Sequence, residues 1–398
     1  MNFIIPAEGA VARVKLTRDR TRLIKQGYPW IFKDWLSELP RLPAGSRALV
    51  RDRDGSLIAY GMYDPNSPLA VRVCAIERER LDDDFIAKRL REALRIRTAL
   101  FDSQTTGYRL LNGEGDGLPG LVCDRYGRFA VLKLDGEAPT GFWNVEAIAE
   151  WLIQNAGIRS VYLKYRAEEK SRGRMIEGEL PESSIPFLEQ GVSFQADIQQ
   201  GQKTGFFFDQ RENRGRIKQL AKGKSVLNLF GYTGGFSIYA GLGGASHVTT
   251  VDIAQPAIEE ACRNWELNEL PQTAHSAVAE DAFEYLAKAR EAKSRWDLIV
   301  VDPPSFAPSE RLVEKAKESY IALFTAALRV LSDGGVVALS SCSSHISSAM
   351  FLEICGAALS AARCRASVLG IHGQPADHPF PFVCTELQYL KFVLLQVR

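Results

Sequence analysis

Three aspartates, Asp252, Asp281 and Asp302, fall at or just beyond the carboxyl ends of successive predicted strands in the C-terminal half of this 398-residue chain. The strand before them ends in Asn228-Leu229-Phe230-Gly231-Tyr232-Thr233-Gly234-Gly235-Phe236. In an open α/β sheet, ligands bind beyond the carboxyl ends of the strands. Glycines at such a turn let backbone approach a ligand, and the helix N-terminus that follows favours negative charge. A carboxylate closing the second strand can accept hydrogen bonds from both hydroxyls of a ribose. The set reads as the rim of a nucleotide-cofactor site. The turn is not GxGxxG, and an acid at the second strand end also suits a dinucleotide, so NAD is the main competing cofactor.

Asp302-Pro303-Pro304-Ser305-Phe306 tips the choice towards S-adenosylmethionine. Two prolines fix φ and remove backbone donors, which freezes the loop. A rigid loop can aim Asp302 at an amino or ring nitrogen of a base while Phe306 offers a stacking face.

These residues need a parallel sheet behind them, and the sequence from about 191 onward supplies one. Strands are expected at 225–229, 247–252, 274–279, 298–302 and 335–341, alternating with helices at 235–242, 255–269, 282–292, 310–331 and 346–361. Such alternation is the mark of a sheet covered on both faces. A last extended run, 387–397, is expected to add an edge strand. Upstream, residues 1–75 read as short strands (12–16, 47–52, 57–60, 70–75) broken by turn signals such as Arg53-Asp54-Gly55, hence a small β-barrel. A helix is expected over 82–101. A second module follows with strands from Tyr108, at 121–124, 129–134 and 160–164, a helix over 142–156, and a loop with an edge strand over 170–186. The fold class is therefore α/β, with a C-terminal Rossmann-like sheet, an N-terminal small barrel (1–75) and a central small α/β module (80–185); the catalytic domain spans 190–398.

Composition narrows the rest. No apolar run approaches the ~20 residues that span a bilayer, and the N-terminal apolar stretch is too short for a signal peptide. A cytoplasmic protein without membrane contact is expected. Seven cysteines, odd in number and never spaced C-x-x-C, argue against a disulfide framework or a metal site. The first hundred residues carry an excess of Lys and Arg, the remainder a slight excess of Asp and Glu. That asymmetry suits a polyanionic partner.

The chain resembles the class I S-adenosylmethionine-dependent methyltransferases. More narrowly, it resembles the bacterial large-subunit (23S) rRNA cytosine-C5 methyltransferases that carry an N-terminal PUA domain. The resemblance runs through GYPWIF (27–32), YRLLNGEGDGLPGLVCDRYG (108–127), DIQQGQKTGFFFDQRENR (197–214), NLFGYTGGF (228–236), VDPPSF (301–306), SSCSS (340–344) and ADHPF (376–380). It implies that 1–75 is an RNA-binding PUA barrel, that S-adenosylmethionine is the cofactor and that ribosomal RNA is the partner. It also implies that Lys203, Phe206, Asp209 and Arg211 form one wall of the cofactor pocket and that Asn228, Phe230, Thr233 and Gly234 line it. Asp252 would then hold the ribose and Asp281 lie near the adenine. Read as residues alone, Phe207 and Phe208 are core aromatics. Tyr28 and Ser305 depart from the family, where His and Lys are frequent.

Methylation of cytosine C5 needs a thiolate that adds to C6. Cys342 is the candidate, since it follows the fifth catalytic strand, precedes a predicted helix whose N-terminus would lower its pKa, and sits among serines. Asp302 would bind the N3/N4 edge of the base. The base that removes the C5 proton is not legible. His345 reads as a cap or solvated group, His378 equally as pocket wall or packing, and Cys384 as incidental. Two rivals remain: an exocyclic-amine methyltransferase that needs no cysteine, and a non-catalytic RNA-binding assembly factor. A homodimer is compatible with the chain, but its oligomeric state is not written in it.

Overall fold

Strand 225–229 (SVLNL) and strand 296–301 (WDLIVV) are almost unbroken apolar runs, the pattern of strands buried on both faces of a parallel sheet. The computed structural model describes residues 1–5, 11–165, 173–181, 184–307 and 309–398. The chain divides into two compact units. One comprises Met1–Gly191, Gln195–Phe208 and Ala376–Thr385; the other comprises Val192–Phe194, Asp209–Pro375 and Glu386–Arg398.

The first unit begins with β1 (Ala12–Lys15), the short helix α1 (Thr21–Lys25), β2 (Trp30–Phe32), β3 (Arg47–Arg51), β4 (Leu57–Tyr63) and β5 (Leu69–Ile76). These strands form one sheet of order β1-β3-β4-β5-β2, in which only the β1–β3 pair is parallel. Helix α2 (Asp83–Leu100) starts where the Asp82 side chain accepts from the Phe85 amide, an N-cap that satisfies one orphan donor. A second sheet, β10-β9-β8-β7-β6, follows. It contains β6 (Gly107–Asn112), β7 (Leu121–Tyr126), β8 (Phe129–Leu134), β9 (Ser160–Lys164) and β10 (Gly173–Glu177). The helix expected over 142–156 is two helices, α3 (Glu137–Phe142) and α4 (Val145–Asn155). Asn144 breaks them apart, because its side chain caps α4 at the Ala147 amide. Part of the loop expected over 170–186 lies outside the described residues. Two short strands, β11 (Ile185–Glu189) and β12 (Val192–Ala196), were not anticipated.

In the second unit, helix α5 (Arg211–Leu220) leads into β13 (Ser225–Leu229), α6 (Gly235–Leu242), β14 (His247–Asp252), α7 (Gln255–Leu267), β15 (His275–Ala279) and α8 (Ala282–Glu291). Then come β16 (Trp296–Val301), α9 (Val313–Leu328), β17 (Leu331–Ser341), α10 (Ser348–Ala362), β18 (Ala366–His372) and β19 (Lys391–Val397). The sheet order is β15-β14-β13-β16-β17-β19-β18. Five strands are parallel, while β19 runs antiparallel to both neighbours. One expectation fails here: the C-terminal strand is not at the edge. β19 is buried almost throughout and lies between β17 and β18, as its continuous KFVLLQV run befits. The edge is β18, which escaped notice because Val368, Leu369 and Ile371 are exposed and carry no alternation.

Candidate active site

The glycine turn after β13 is held by hydrogen bonds and by crowding. Phe230 and Tyr232 adopt left-handed backbone (φ +57° and +46°), which L-residues hold only when their surroundings insist. The Tyr232 amide donates to Asp252 Oδ2 at 2.9 Å, and the Ala254 amide to Asp252 Oδ1 at 2.9 Å. The carboxylate is thereby fixed at the end of β14 with acceptor capacity to spare. A Cβ on Gly231 would lie 2.4 Å from Thr250 Cγ2, and one on Gly234 (φ +83°) would lie 2.9 Å from Ala261 Cβ. These glycines are required by internal packing as well as by any ligand.

Asn228 is oriented from below. Its Nδ2 donates to Ser237 Oγ at 2.9 Å; Ser237 Oγ is 2.6 Å from Thr250 Oγ1, and Thr250 Oγ1 is 2.8 Å from His275 Nε2. His275 stacks on Trp265 with centroids 4.4 Å apart. Burial first, and the neighbouring His247 second, push its pKa down to about 4, so the ring is neutral at physiological pH. The chain of bonds leaves Asn228 Oδ1 buried without a partner, and Thr233 Oγ1 is in the same condition. Asn264 Nδ2 holds the Thr233 carbonyl at 3.1 Å.

Asp302 follows β16, the strand next to β13. Gln210 Nε2 donates to its Oδ1 at 2.9 Å and to Ser340 Oγ at 3.1 Å, and Asn213 Nδ2 fixes the Gln210 carbonyl oxygen at 2.6 Å. Burial raises the Asp302 pKa to about 6, and the negative Asp209 adds to that rise; the bonds from Ser340 and Gln210 and the positive Arg214 oppose it. Asp209 itself accepts from the Tyr389 hydroxyl at 2.8 Å.

Cys342 is half-buried in the loop between β17 and α10, with its Sγ 4.0 Å from the Pro303 carbonyl oxygen. A hydroxyl network ties this loop to the proline loop. Ser343 Oγ is 2.9 Å from Ser305 Oγ and 3.0 Å from Tyr320 OH, while Ser341 Oγ donates to Tyr320 OH at 3.0 Å. Ser305, a departure from the family pattern, thus faces its neighbours in the fold. The helix N-terminus expected next to Cys342 is not there. Helix α10 begins at Ser348 and is capped by the Ser347 side chain, well beyond the cysteine.

The other predicted residues separate. Asn228, Phe230, Thr233, Gly234 and Asp252 gather on the turn, and Asp209 lies near Asp302. Arg211 is buried at the start of α5. Asp281 Oδ1 caps α8 by accepting from the Phe283 and Glu284 amides. Lys203 and Phe206 belong to the first unit, where the Lys203 ammonium sits 4.9 Å from the Phe207 ring and buried Phe206 packs on Phe187 and Phe208. His378 also belongs to the first unit, buried beside Asp377. Sequence reasoning missed Gln210, His275 and Lys391. The signal for the last was a lone lysine heading an apolar strand.

A seven-stranded sheet of this order with one antiparallel strand, an acid closing its second strand and a glycine turn after its first defines a class I, Rossmann-like methyltransferase domain. The orphaned Asn228 oxygen and Thr233 hydroxyl and the anchored Asp252 carboxylate fit an adenosyl amino acid, which brings an ammonium and two ribose hydroxyls. Residues 145–361 match the S-adenosylmethionine-dependent methyltransferase family, and residues 14–75 match the PUA-like domain. A ribosomal RNA large subunit methyltransferase of Deinococcus radiodurans is 39% identical over 400 residues, covering 97% of each chain. The ribosomal RNA large subunit methyltransferase I of Vibrio parahaemolyticus is 34% identical, covering 96% of this chain and 98% of its own. A Streptococcus mutans structure assigned as a SAM-dependent methyltransferase superposes with a TM-score of 0.84 at 22% identity, over 97% of this chain and 100% of that one. The chain therefore belongs to the PUA-domain-containing S-adenosylmethionine-dependent methyltransferases related to the bacterial ribosomal RNA large subunit methyltransferase I family. Among the described residues, no helix is long and apolar enough to cross a membrane.

Proposed function

We propose that the protein methylates C5 of a cytosine in large-subunit ribosomal RNA, with Cys342 as nucleophile. The substrate class comes from the names of its relatives. The observation that carries the cytosine reading is a half-buried cysteine in contact with the loop that begins at Asp302. S-adenosylmethionine, when bound, supplies an electrophilic methyl group. Asn228, Thr233 and Asp252 would hold it, with Phe230 and Gly234 shaping the turn, Asp281 beside the base, and Asp209 and Arg211 lining the same unit's side of the turn. Lys203 and Phe206 remain assigned to the cofactor by family likeness.

The Cys342 thiolate adds to C6 of the pyrimidine, so a C–S bond forms and the C5–C6 π pair is released onto C5. That carbon would take the methyl group as the methyl's bond to the sulfonium sulfur breaks, the electron pair staying on that sulfur. Loss of the C5 proton then restores the double bond as the C–S bond breaks and the thiolate leaves. Asp302 holds the N3/N4 edge. With its pKa raised to about 6 it takes up a proton more easily than an ordinary carboxylate, and the acid form can donate to N3 as electron density builds on the ring. Residues 1–75, with the excess basic charge of the N-terminal hundred, bind the RNA.

The decisive experiment uses ribosomal RNA carrying 5-fluorocytosine together with S-adenosylmethionine. Fluorine cannot depart as a proton, so the enzyme stays covalently attached through Cys342 and migrates with the RNA on a denaturing gel. Absence of the adduct, with ordinary RNA still methylated, removes the cysteine route in favour of exocyclic-amine methylation and leaves the transferase class intact.

A further inference from the structure

The ammonium of Lys391 is a buried cation without a matching carboxylate. The residue heads β19, is 3% exposed, and pairs in register with Ser341 of β17, the residue before Cys342. Its Nζ donates to the Ser343 carbonyl oxygen at 2.6 Å and to the Tyr389 carbonyl oxygen at 2.8 Å. The two residues flanking Cys342 are thus both engaged by one lysine, Ser341 through the strand pairing and Ser343 through the side chain. Among the described residues, no Asp or Glu lies within ion-pair distance of this Nζ. A buried charge left unmatched is costly, and folds that keep one generally use it.

We propose that Lys391 is a positioning residue for Cys342: it fixes the turn that carries the sulfur and supplies the counter-charge of its thiolate. The proposal rests on the reading of Cys342 as nucleophile. Burial pushes the Lys391 pKa down to about 8, while a negative Cys342 pulls it back up, so at neutral pH the lysine is cationic beside the sulfur. Among the described residues, Lys391 and Tyr320 are titratable groups coupled to Cys342 from the elements packed around its loop. Lys391 on β19 favours the thiolate, and the Tyr320 hydroxyl on α9 is neutral, its pKa raised by burial. An amine beside a thiol is a recognised way to lower the thiol's pKa. It replaces the helix terminus, which lies too far along the chain.

The test needs neither RNA nor cofactor. Alkylation of Cys342 by iodoacetamide is followed by peptide mass spectrometry in the full-length protein, between about pH 6 and pH 10, a range that brackets thiol ionisation. The wild-type midpoint is expected below the ~8.5 of a free cysteine. Lys391→Met and Lys391→Gln should each raise it and slow alkylation at neutral pH on the order of tenfold, whereas Lys391→Arg should stay within about threefold. Glutamine keeps two N–H donors for the carbonyls but no charge, so it separates tying the loop from charging the sulfur. Wild-type reactivity in a folded Lys391→Gln protein overturns the proposal, and so does a wild-type midpoint at or above that of a free thiol. The second result decides the matter even where a variant fails to fold. Failure of the 5-fluorocytosine adduct, by contrast, removes the nucleophile reading while leaving a measured shift in thiol reactivity standing.

Discussion

Two groups of buried and half-buried acids, one in each unit, are held in opposite ways. In the first unit Asp116, Asp124 and Glu114 each have an arginine. Asp116 takes both ends of the buried Arg97 guanidinium at 2.7 and 2.8 Å, Arg109 Nε donates to Asp124 at 2.6 Å, and Arg72 grips Glu114, which also accepts from Trp30 Nε1. These pairs, the first two of them bidentate, satisfy the carboxylates and fix backbone, since Asp116 also accepts from the Asn112 amide. In the second unit Asp302 is met by a neutral amide, Asp252 by two backbone amides, and Asn228 and Thr233 keep an oxygen each without a partner. Polar groups paired inside the fold stabilise it. Those left with capacity are available to a ligand, and at Asp302 burial raises the pKa. The motif GEGDGLPG and the motif DPPSF both carry acids, but only in the first are those acids met by arginines.

The largest effect that sharpens this contrast belongs to Cys342. Cys342→Ala should reduce methylation by at least about three orders of magnitude while the melting temperature holds. Measured turnover close to wild type would place the chemistry elsewhere on the rim. Next comes the paired region. Arg97→Met strands Asp116 in the interior and should destabilise the protein by about 3–5 kcal/mol, read by chemical denaturation. A variant as stable as wild type would show that the pair is not the support described above.

Much of the second unit was legible because a parallel sheet writes itself as apolar runs ending in acids: Ser225–Leu229 and His247–Asp252 were read to the residue. The glycine turn was legible for the same reason. What was not legible depends on long-range pairing. Gln210 reaches Asp302 across ninety-two positions and Lys391 reaches Ser343 across forty-eight. Neither distance leaves a periodicity, and β18 hid because its side chains face outward with no alternation. In the first unit the DGLPG turn reads locally as a loop, and nothing local says that its aspartate meets Arg97.

Asp302 offers a pH-resolved version of the comparison. Its folded pKa of about 6 lies above the ordinary 3.8, so between those values the folded state binds more protons than the unfolded one. Stability therefore falls as pH rises through that window and levels off above pH 6. The full penalty at neutral pH is of the order of 2–3 kcal/mol. Asp302→Asn escapes it. Denaturation of the two proteins should show the variant gaining on wild type from about pH 4 to pH 6, with a constant difference beyond. A pH-independent difference would mean that burial does not penalise the Asp302 carboxylate.

The smallest effect is the most discriminating, because it acts on one atom. Thr233 Oγ1 is buried without a hydrogen-bond partner, and such an atom forfeits the hydration it had in the unfolded chain. If it is held in reserve for the cofactor, Thr233→Val should stabilise the free protein by up to about 1 kcal/mol, since valine matches its shape and removes the unmet hydroxyl. The same substitution should weaken S-adenosylmethionine binding by about fivefold, measured by calorimetry, because one hydrogen bond gained on binding is lost. The two changes must have opposite signs. A hydroxyl serving the fold would lose stability on removal and leave binding untouched, which is the behaviour expected of every polar atom in the arginine-paired region. Finding that pattern at Thr233 would dissolve the distinction between the two regions at the point where it is drawn most finely.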